Sequence, residues 1–281
     1  VTTPTPLTFA QLRERHDALL FDAYGVLVHA GGGIPHAPDA IAALVRDGQR
    51  FLVVTNDASR SPQRASQRYR RLGLDITPEQ VLGSGQLIGP ALVDRGLERG
   101  RVVVLGTGDS AQFAREVGAT VVEPSRDAPA DALVIADEGG FHTLGTMDAV
   151  LDMIVAGCER GAPPALFLAN PDLIYPAGNG RFGFTAGSLA AMLDRALHVI
   201  LGSAAPTFEV LGKPSPRHFE EALRRVGTRN AVMLGDTLHT DVAGAQGVGI
   251  ASAIVLTGVT TRAQATAAEH RPTYVLDDLR A

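Results

Sequence analysis

The chain of 281 residues is long enough to bury a large core, as one sizeable domain or two modest ones. A formal net charge of −5, with no basic block, excludes the usual electrostatic surface for nucleic acid. No apolar run approaches a membrane span, the opening residues lack a signal-peptide pattern, and the single cysteine, Cys158, excludes an internal disulfide, so the reading is a soluble, cytoplasmic protein.

In chain order, short β-branched runs alternate with amphipathic stretches, the pattern of a parallel sheet covered by helices. The first strand, 18–23, carries Asp22 near its end, and Tyr24 and Gly25 follow at once in "LLFDAYGVL". Gly31, Gly32 and Gly33 mark a turn, and a helix is expected over 37–47. The strand 50–55 leads into Thr55-Asn56. The helix 61–72 after it carries Arg64, Arg68, Arg70 and Arg71 which, with Arg60, read as a solvated basic face. A helix near 78–95 is expected from Thr77 as N-cap, Pro78 in the first turn and Gln80 closing a capping box. Strands follow at 101–106, 119–123, 132–137 and 165–170, with a helix over 143–159. Lys213 stands in "VLGKPSP", the strand 231–236 ends in Asp236 with Asp241 five residues on in "GDTLHTD", and a strand covers 251–256.

In doubly wound sheets ligands bind outside the carboxyl ends of strands. Asp22, Thr55-Asn56 and Asp236, far apart in sequence, can therefore converge on one site, and Lys213 can reach the same edge. Lysine and arginine together total 25 and Lys213 is the only lysine, which singles out that position. The segment from Asp22 to Thr55 is one strand–helix–strand unit with no room for an insertion. The segment from Thr55 to Lys213 is far longer and holds strands and helices of its own. A second, smaller α/β domain is expected there, at 87–205, between the two halves of a core at 1–86 and 206–281.

A strand-end carboxylate can attack a phosphoryl group and hold it covalently. The charge on the phosphoryl oxygens then needs a hard cation on oxygen ligands, most simply Mg²⁺. Asp236 can ligate such an ion and Asp241 can orient it or its waters. Thr55 and the backbone amide of Asn56 can donate to phosphate oxygens, and Lys213 adds a fixed compact charge.

Together these residues resemble the haloacid dehalogenase superfamily, and most closely its class IIA phosphatases. The resemblance runs through "FDAYGVL", "VVTNDASRSP", "TPEQVLGSG", "LANPDLIYP", "GKPSPRHF", "GDTLHTDVAGAQGVG" and "VLTGVTTRAQ". It implies a doubly wound, Rossmann-like core with the insertion as a class II cap. It implies Asp22 as nucleophile, phosphate contacts from Thr55, Asn56 and Lys213, and Mg²⁺ on Asp22, Asp236 and the carbonyl of Tyr24, with Asp241 beside them. Asn170, Pro171, Asp172 and Tyr175 would lie where cap meets core. A small phosphorylated metabolite is the implied substrate, and caps of this class resemble dimerisation surfaces, which implies a homodimer.

Tyr24 departs from that family's pattern, in which an aspartate protonates the leaving oxygen and then activates water. A phenol titrates near ~10 and is a poor base at neutral pH; a positioned acid–base group is worth on the order of 10²–10⁴ in rate. The acid is therefore expected from elsewhere, with His29, His142 and His239 as candidates, or the leaving group is one that needs little protonation. "FDAYG" also resembles the dehalogenases proper, in which Asp attacks carbon. Against that stand the position of the insertion and the presence of both Asp236 and Asp241. A lysine-imine phosphonatase would need a second lysine, and the chain has none. A relative that keeps the fold and binds ligand without turnover is the non-catalytic alternative.

Overall fold

The apolar run Ala18–Phe21 demands burial on both faces, and it lies inside a seven-stranded sheet. The computed structural model describes residues 3–29, 31–128, 130–178 and 181–280. The sheet order is Thr5–Pro6, Tyr274–Leu276, Ala251–Val255, Ala231–Gly235, Ala18–Phe21, Arg50–Thr55 and Val81–Gly83, with every pairing parallel. Alternation along the strand feeds two cores. Leu19 and Phe21 pack on one side with Phe9, Leu12 and Ile41. Ala18 and Leu20 pack on the other with Phe219 and Leu223 of the helix Pro216–Val226.

Parallel pairing is what brings the site together. Phe21 is in register with Leu234 on one side and Val53 on the other. The residues that leave these three strands therefore emerge on one edge. The fold is the doubly wound α/β core expected.

A second, five-stranded parallel sheet runs in the order Phe208–Val210, Ala165–Leu168, Ala132–Ile135, Arg101–Leu105 and Thr120–Val121. Leu133 and Ile135 face the helices Thr143–Glu159 and Ala186–Leu201. Ala132 and Val134 face Ile88–Asp94 and Gly108–Arg115. This sheet takes its last strand, Phe208–Val210, from beyond residue 205. It also docks on the core. The Thr107 hydroxyl donates to Ser59 O at 2.7 Å, the Ser110 hydroxyl to Ala58 O at 2.8 Å, and Asp109 accepts from the Ser61 N–H at 2.8 Å and pairs with Arg64 at 3.1 Å.

One expected element differs. The capping box at Thr77 and Gln80 is present but caps only the single turn Pro78–Gln80. Val81–Gly83 then join Arg50–Thr55 as an edge strand, and the true helix is Ile88–Asp94. Pairing against the core outweighs the local helix signal. Among the described residues no helix is long and apolar enough to cross a membrane.

Candidate active site

Asp22 follows the central strand, its amide donating to Leu234 O at 2.8 Å and its Oδ1 accepting from the Ala23 N–H at 2.7 Å. Across the adjacent strand end, Lys213 is 1 % exposed and its Nζ lies 2.7 Å from Asp22 Oδ1 and 2.6 Å from Asp241 Oδ1. A buried ammonium between two carboxylates is a paired charge, the condition under which burial is tolerated. Burial alone would lower Lys213, but Asp22 and Asp241 outweigh it and hold the amine above its ordinary range.

Three carboxylates meet here. Oxygens of Asp22, Asp236 and Asp241 all lie within 4.8 Å of one another. Burial pushes Asp22 up to about 7, Lys213 opposing and Asp241 adding to the rise. Burial, with Asp22 beside it, takes Asp236 to about 6. Burial also raises Asp241, against the pull of Lys213. One ammonium does not balance three carboxylates, and the surplus charge on hard oxygen atoms fits a divalent cation such as Mg²⁺.

Two glycines press on the same carboxylate. A Cβ on Gly25, which sits at φ +80°, or on Gly258 would come within 2.1 Å of Asp236 Oδ2. Neighbouring Val259 donates its N–H to that oxygen at 3.0 Å, and the Thr257 hydroxyl donates to Gly25 O at 2.6 Å. The loop Thr257–Thr260 thus shapes the site; in the sequence it falls within "VLTGVTTRAQ", which carries the family resemblance but says nothing of Gly258 pressing on Asp236. Gly258→Ala is expected to weaken Mg²⁺ affinity on the order of 10- to 100-fold, as loss of support around a ligand does, measured by calorimetric titration.

Thr55 and Asn56 are buried where Arg50–Thr55 ends. The Thr55 hydroxyl accepts from the Asp57 N–H at 3.3 Å. The Asn56 side chain is committed to protein: Oδ1 accepts from the Lys213 N–H at 2.7 Å, and Nδ2 donates to Lys213 O at 3.1 Å and to Asp172 Oδ1 at 3.0 Å. Gly212 permits this approach, since a Cβ there would meet Ala169 O at 2.5 Å and Asn56 Oδ1 at 2.6 Å.

Tyr24 is half-buried, and its hydroxyl oxygen accepts from Arg68 Nη2 at 2.9 Å while the guanidinium lies 5.2 Å from the ring centroid. Of the arginines expected on a solvated face, Arg60, Arg64, Arg70 and Arg71 are exposed, Arg60 pairing with Asp57 at 2.6 Å, Arg64 with Asp109 at 3.1 Å and Arg70 with Asp75 at 3.7 Å, while Arg68 is half-buried against Tyr24. His29, exposed, accepts the Gly31 N–H at 2.8 Å in its own turn. His142 precedes the helix Thr143–Glu159 and His239 is exposed in the loop between Asp236 and Asp241. None of the three is held on Asp22 by a hydrogen bond among the described residues.

The chain is similar to known phosphatases over most of its length. Family models described as haloacid dehalogenase-like hydrolase and HAD-hydrolase-like match residues 19–120 and 210–281. The D-glycerol 3-phosphate phosphatase of Mycobacterium tuberculosis is 33 % identical over 271 residues, covering 96 % of this chain and 71 % of that protein. A solved glycerol phosphate phosphatase from the same organism, in complex with magnesium, superposes with a TM-score of 0.81 at 30 % identity, covering 96 % of this chain and 77 % of that one. A possible sugar phosphatase of Cytophaga hutchinsonii gives a TM-score of 0.83 at 28 % identity over 98 % of both chains. With one family model running from the core's first strand into the second sheet, the other covering the C-terminal part of the core, and relatives of this kind matching more than nine-tenths of the chain, the protein belongs to the haloacid dehalogenase-like hydrolases, among the class IIA phosphatases.

Proposed function

We propose that the chain is a Mg²⁺-dependent phosphatase of small polyol or sugar phosphates that works through an aspartyl-phosphate on Asp22. The observation that carries this reading is the strand-end Asp22 held by Lys213 at 2.7 Å within a cluster of three carboxylates. Glycerol phosphate and sugar phosphate relatives support the substrate class.

Asp22 is the nucleophile, attacking phosphorus as the ester oxygen departs. Thr55, the Asn56 amide and Lys213 hold the phosphoryl oxygens against the approaching carboxylate. Asp22, Asp236 and the carbonyl of Tyr24, with Asp241 beside them, are the groups that would hold Mg²⁺. The ion, when bound, neutralises phosphoryl charge and aligns the group for in-line transfer. Water then attacks phosphorus and frees Asp22.

Tyr24 alters the proton chemistry. A phenol pinned by Arg68 stands where the resemblance places a carboxylic acid, so the leaving oxygen gets less help. Aryl and acyl phosphates are expected to outpace alkyl phosphates by ~10²-fold or more in kcat, the scale of a missing acid, and Tyr24→Asp to narrow that gap. Steady-state assays on p-nitrophenyl phosphate, acetyl phosphate and glycerol 3-phosphate decide it, and equal rates on all three would sink the idea. A chelator stops turnover on this reading, and 2-haloacids are not substrates.

A cytoplasmic homodimer, joined through the outer face of the second sheet, completes the reading. Phe182 and Phe184 on the hairpin Ile174–Gly178/Arg181–Phe184, and Val199 on the helix Ala186–Leu201, support it as large exposed apolar side chains of the second domain.

A further inference from the structure

The catalytic lysine is held from the second sheet. The strand Phe208–Val210 runs straight into Leu211, whose N–H donates to Leu168 O at 2.9 Å, and then into Gly212 and Lys213. Its neighbour Ala165–Leu168 runs in parallel into Asn170, Pro171 and Asp172. Both arms of the second sheet therefore end at the core residue Asn56.

The donor and acceptor inventory there leaves one arrangement. The Lys213 N–H can only donate, so it fixes Asn56 Oδ1 toward itself at 2.7 Å. A carboxylate can only accept, so Asp172 Oδ1 fixes Nδ2 toward itself at 3.0 Å. The second Nδ2 hydrogen then reaches Lys213 O at 3.1 Å. The amide thus grips both backbone polar groups of Lys213, and Asp172 sets its orientation. Asp172 is itself braced. Its N–H donates to Asn170 Oδ1 at 3.1 Å, while its carbonyl accepts from the Thr185 hydroxyl and from the Gly187 N–H at 3.0 Å.

We infer that Asp172 is a positioning residue for the reaction, acting through the Asn56 amide to place Lys213 between Asp22 and Asp241. Lys213 must be in place whatever ester is bound, so loss of Asp172 acts on all substrates alike. A carboxylate that read the leaving group would instead discriminate among them. The inference deepens the phosphatase reading and rests on it.

The test uses the full chain with Asp172→Ala and Asp172→Asn. Asparagine keeps one oxygen acceptor for Asn56 Nδ2 while losing the charge and exchanging the other oxygen for an NH₂ donor. Because Lys213 is the only lysine, protein labelled with ¹⁵N-lysine and lacking any added lysine gives a single backbone amide resonance from that residue. The expected result has three parts. Asp172→Ala lowers kcat by about 10- to 100-fold, the scale of a misplaced catalytic group. The loss is equal within a factor of two on p-nitrophenyl phosphate and glycerol 3-phosphate, with KM little changed. The Lys213 amide resonance shifts in Asp172→Ala, while Asp172→Asn restores both rate and resonance.

Several results overturn the inference. An unmoved Lys213 resonance in Asp172→Ala does so directly. A loss confined to one ester, or an Asp172→Asn variant as poor as alanine, does so through the kinetics. An alanine variant that fails to fold shows its lysine amide at the unfolded position, and the decision then passes to Asp172→Asn, which must match the parent in rate and resonance. If the parent chain turns over no phosphate ester, the phosphatase reading fails, and the resonance alone still judges the clamp.

Discussion

Replacing Asp22 with asparagine is expected to lower kcat by at least ~10⁴-fold, the scale of removing a nucleophile from a working unit. The amide keeps the shape of the side chain and can still accept from the Ala23 N–H and from Lys213, but it cannot form an acyl phosphate. Inorganic phosphate and Mg²⁺ should still bind, because Asp236, Asp241, Lys213 and the Thr55–Asn56 turn are untouched. Calorimetry of phosphate binding beside a steady-state assay checks this. Retention of more than a tenth of the parent rate would remove Asp22 from the nucleophile's role. Intact binding with no turnover in the parent itself would instead favour the non-catalytic alternative.

The second large effect is expected from Lys213→Met, on stability as well as rate. The ammonium is 1 % exposed and faces two carboxylates within 2.7 Å, so its removal leaves buried charge uncompensated. Breaking such a pair costs about 3–5 kcal/mol. The pH dependence has a definite sign. Asp22, raised to about 7, and Asp236, raised to about 6, both lie above the ordinary aspartate value. A carboxylate whose folded value is raised contributes stability that is fully present below the unfolded value and lost as pH rises through the folded one. Metal-free protein therefore loses stability between about pH 4 and pH 7 on account of these groups. Removing Lys213 raises the carboxylates further, so the penalty is largest near pH 8 and shrinks as the medium is acidified. Mg²⁺, which binds the ionised form, should recover part of the lost stability at pH 8 and little at pH 5. Denaturant melts of parent and variant at both pH values, with and without Mg²⁺, measure it. A penalty independent of pH would contradict the charge argument.

Much of the core was legible from residue types and order. Asp22, Thr55 and Asp236 each stand where an apolar run gives way to a polar residue, and parallel pairing carries such ends to one edge. Lys213 stood out because the chain otherwise uses arginine, and its burial between Asp22 and Asp241 gives that rarity a physical basis. The partners were not legible. Nothing local in "ANPD" says that Asp172 crosses to Asn56, because the contact spans 116 residues and arises only when two sheets meet. Arg68 looked solvent-facing because a run of arginines on one helix has no visible acceptor until Tyr24 is placed beside it. Val81–Gly83 read as helix because the capping box ahead of them is real, and only the neighbouring strand makes them an edge. The role of Gly258 likewise depends on a carboxylate 22 residues earlier in the chain.

The ties from Thr107, Asp109 and Ser110 to the turn Ala58–Ser61, together with Asp172 on Asn56, bear on recombination between relatives. All of them land on a short core segment that also carries Thr55 and Asn56. A second domain transplanted from another phosphatase will seat only if it brings side chains that match that turn, whatever its own pocket recognises. Exchange of substrate range by domain grafting should therefore succeed when residues 55–64 travel with the graft, and yield poorly seated hybrids when they stay behind.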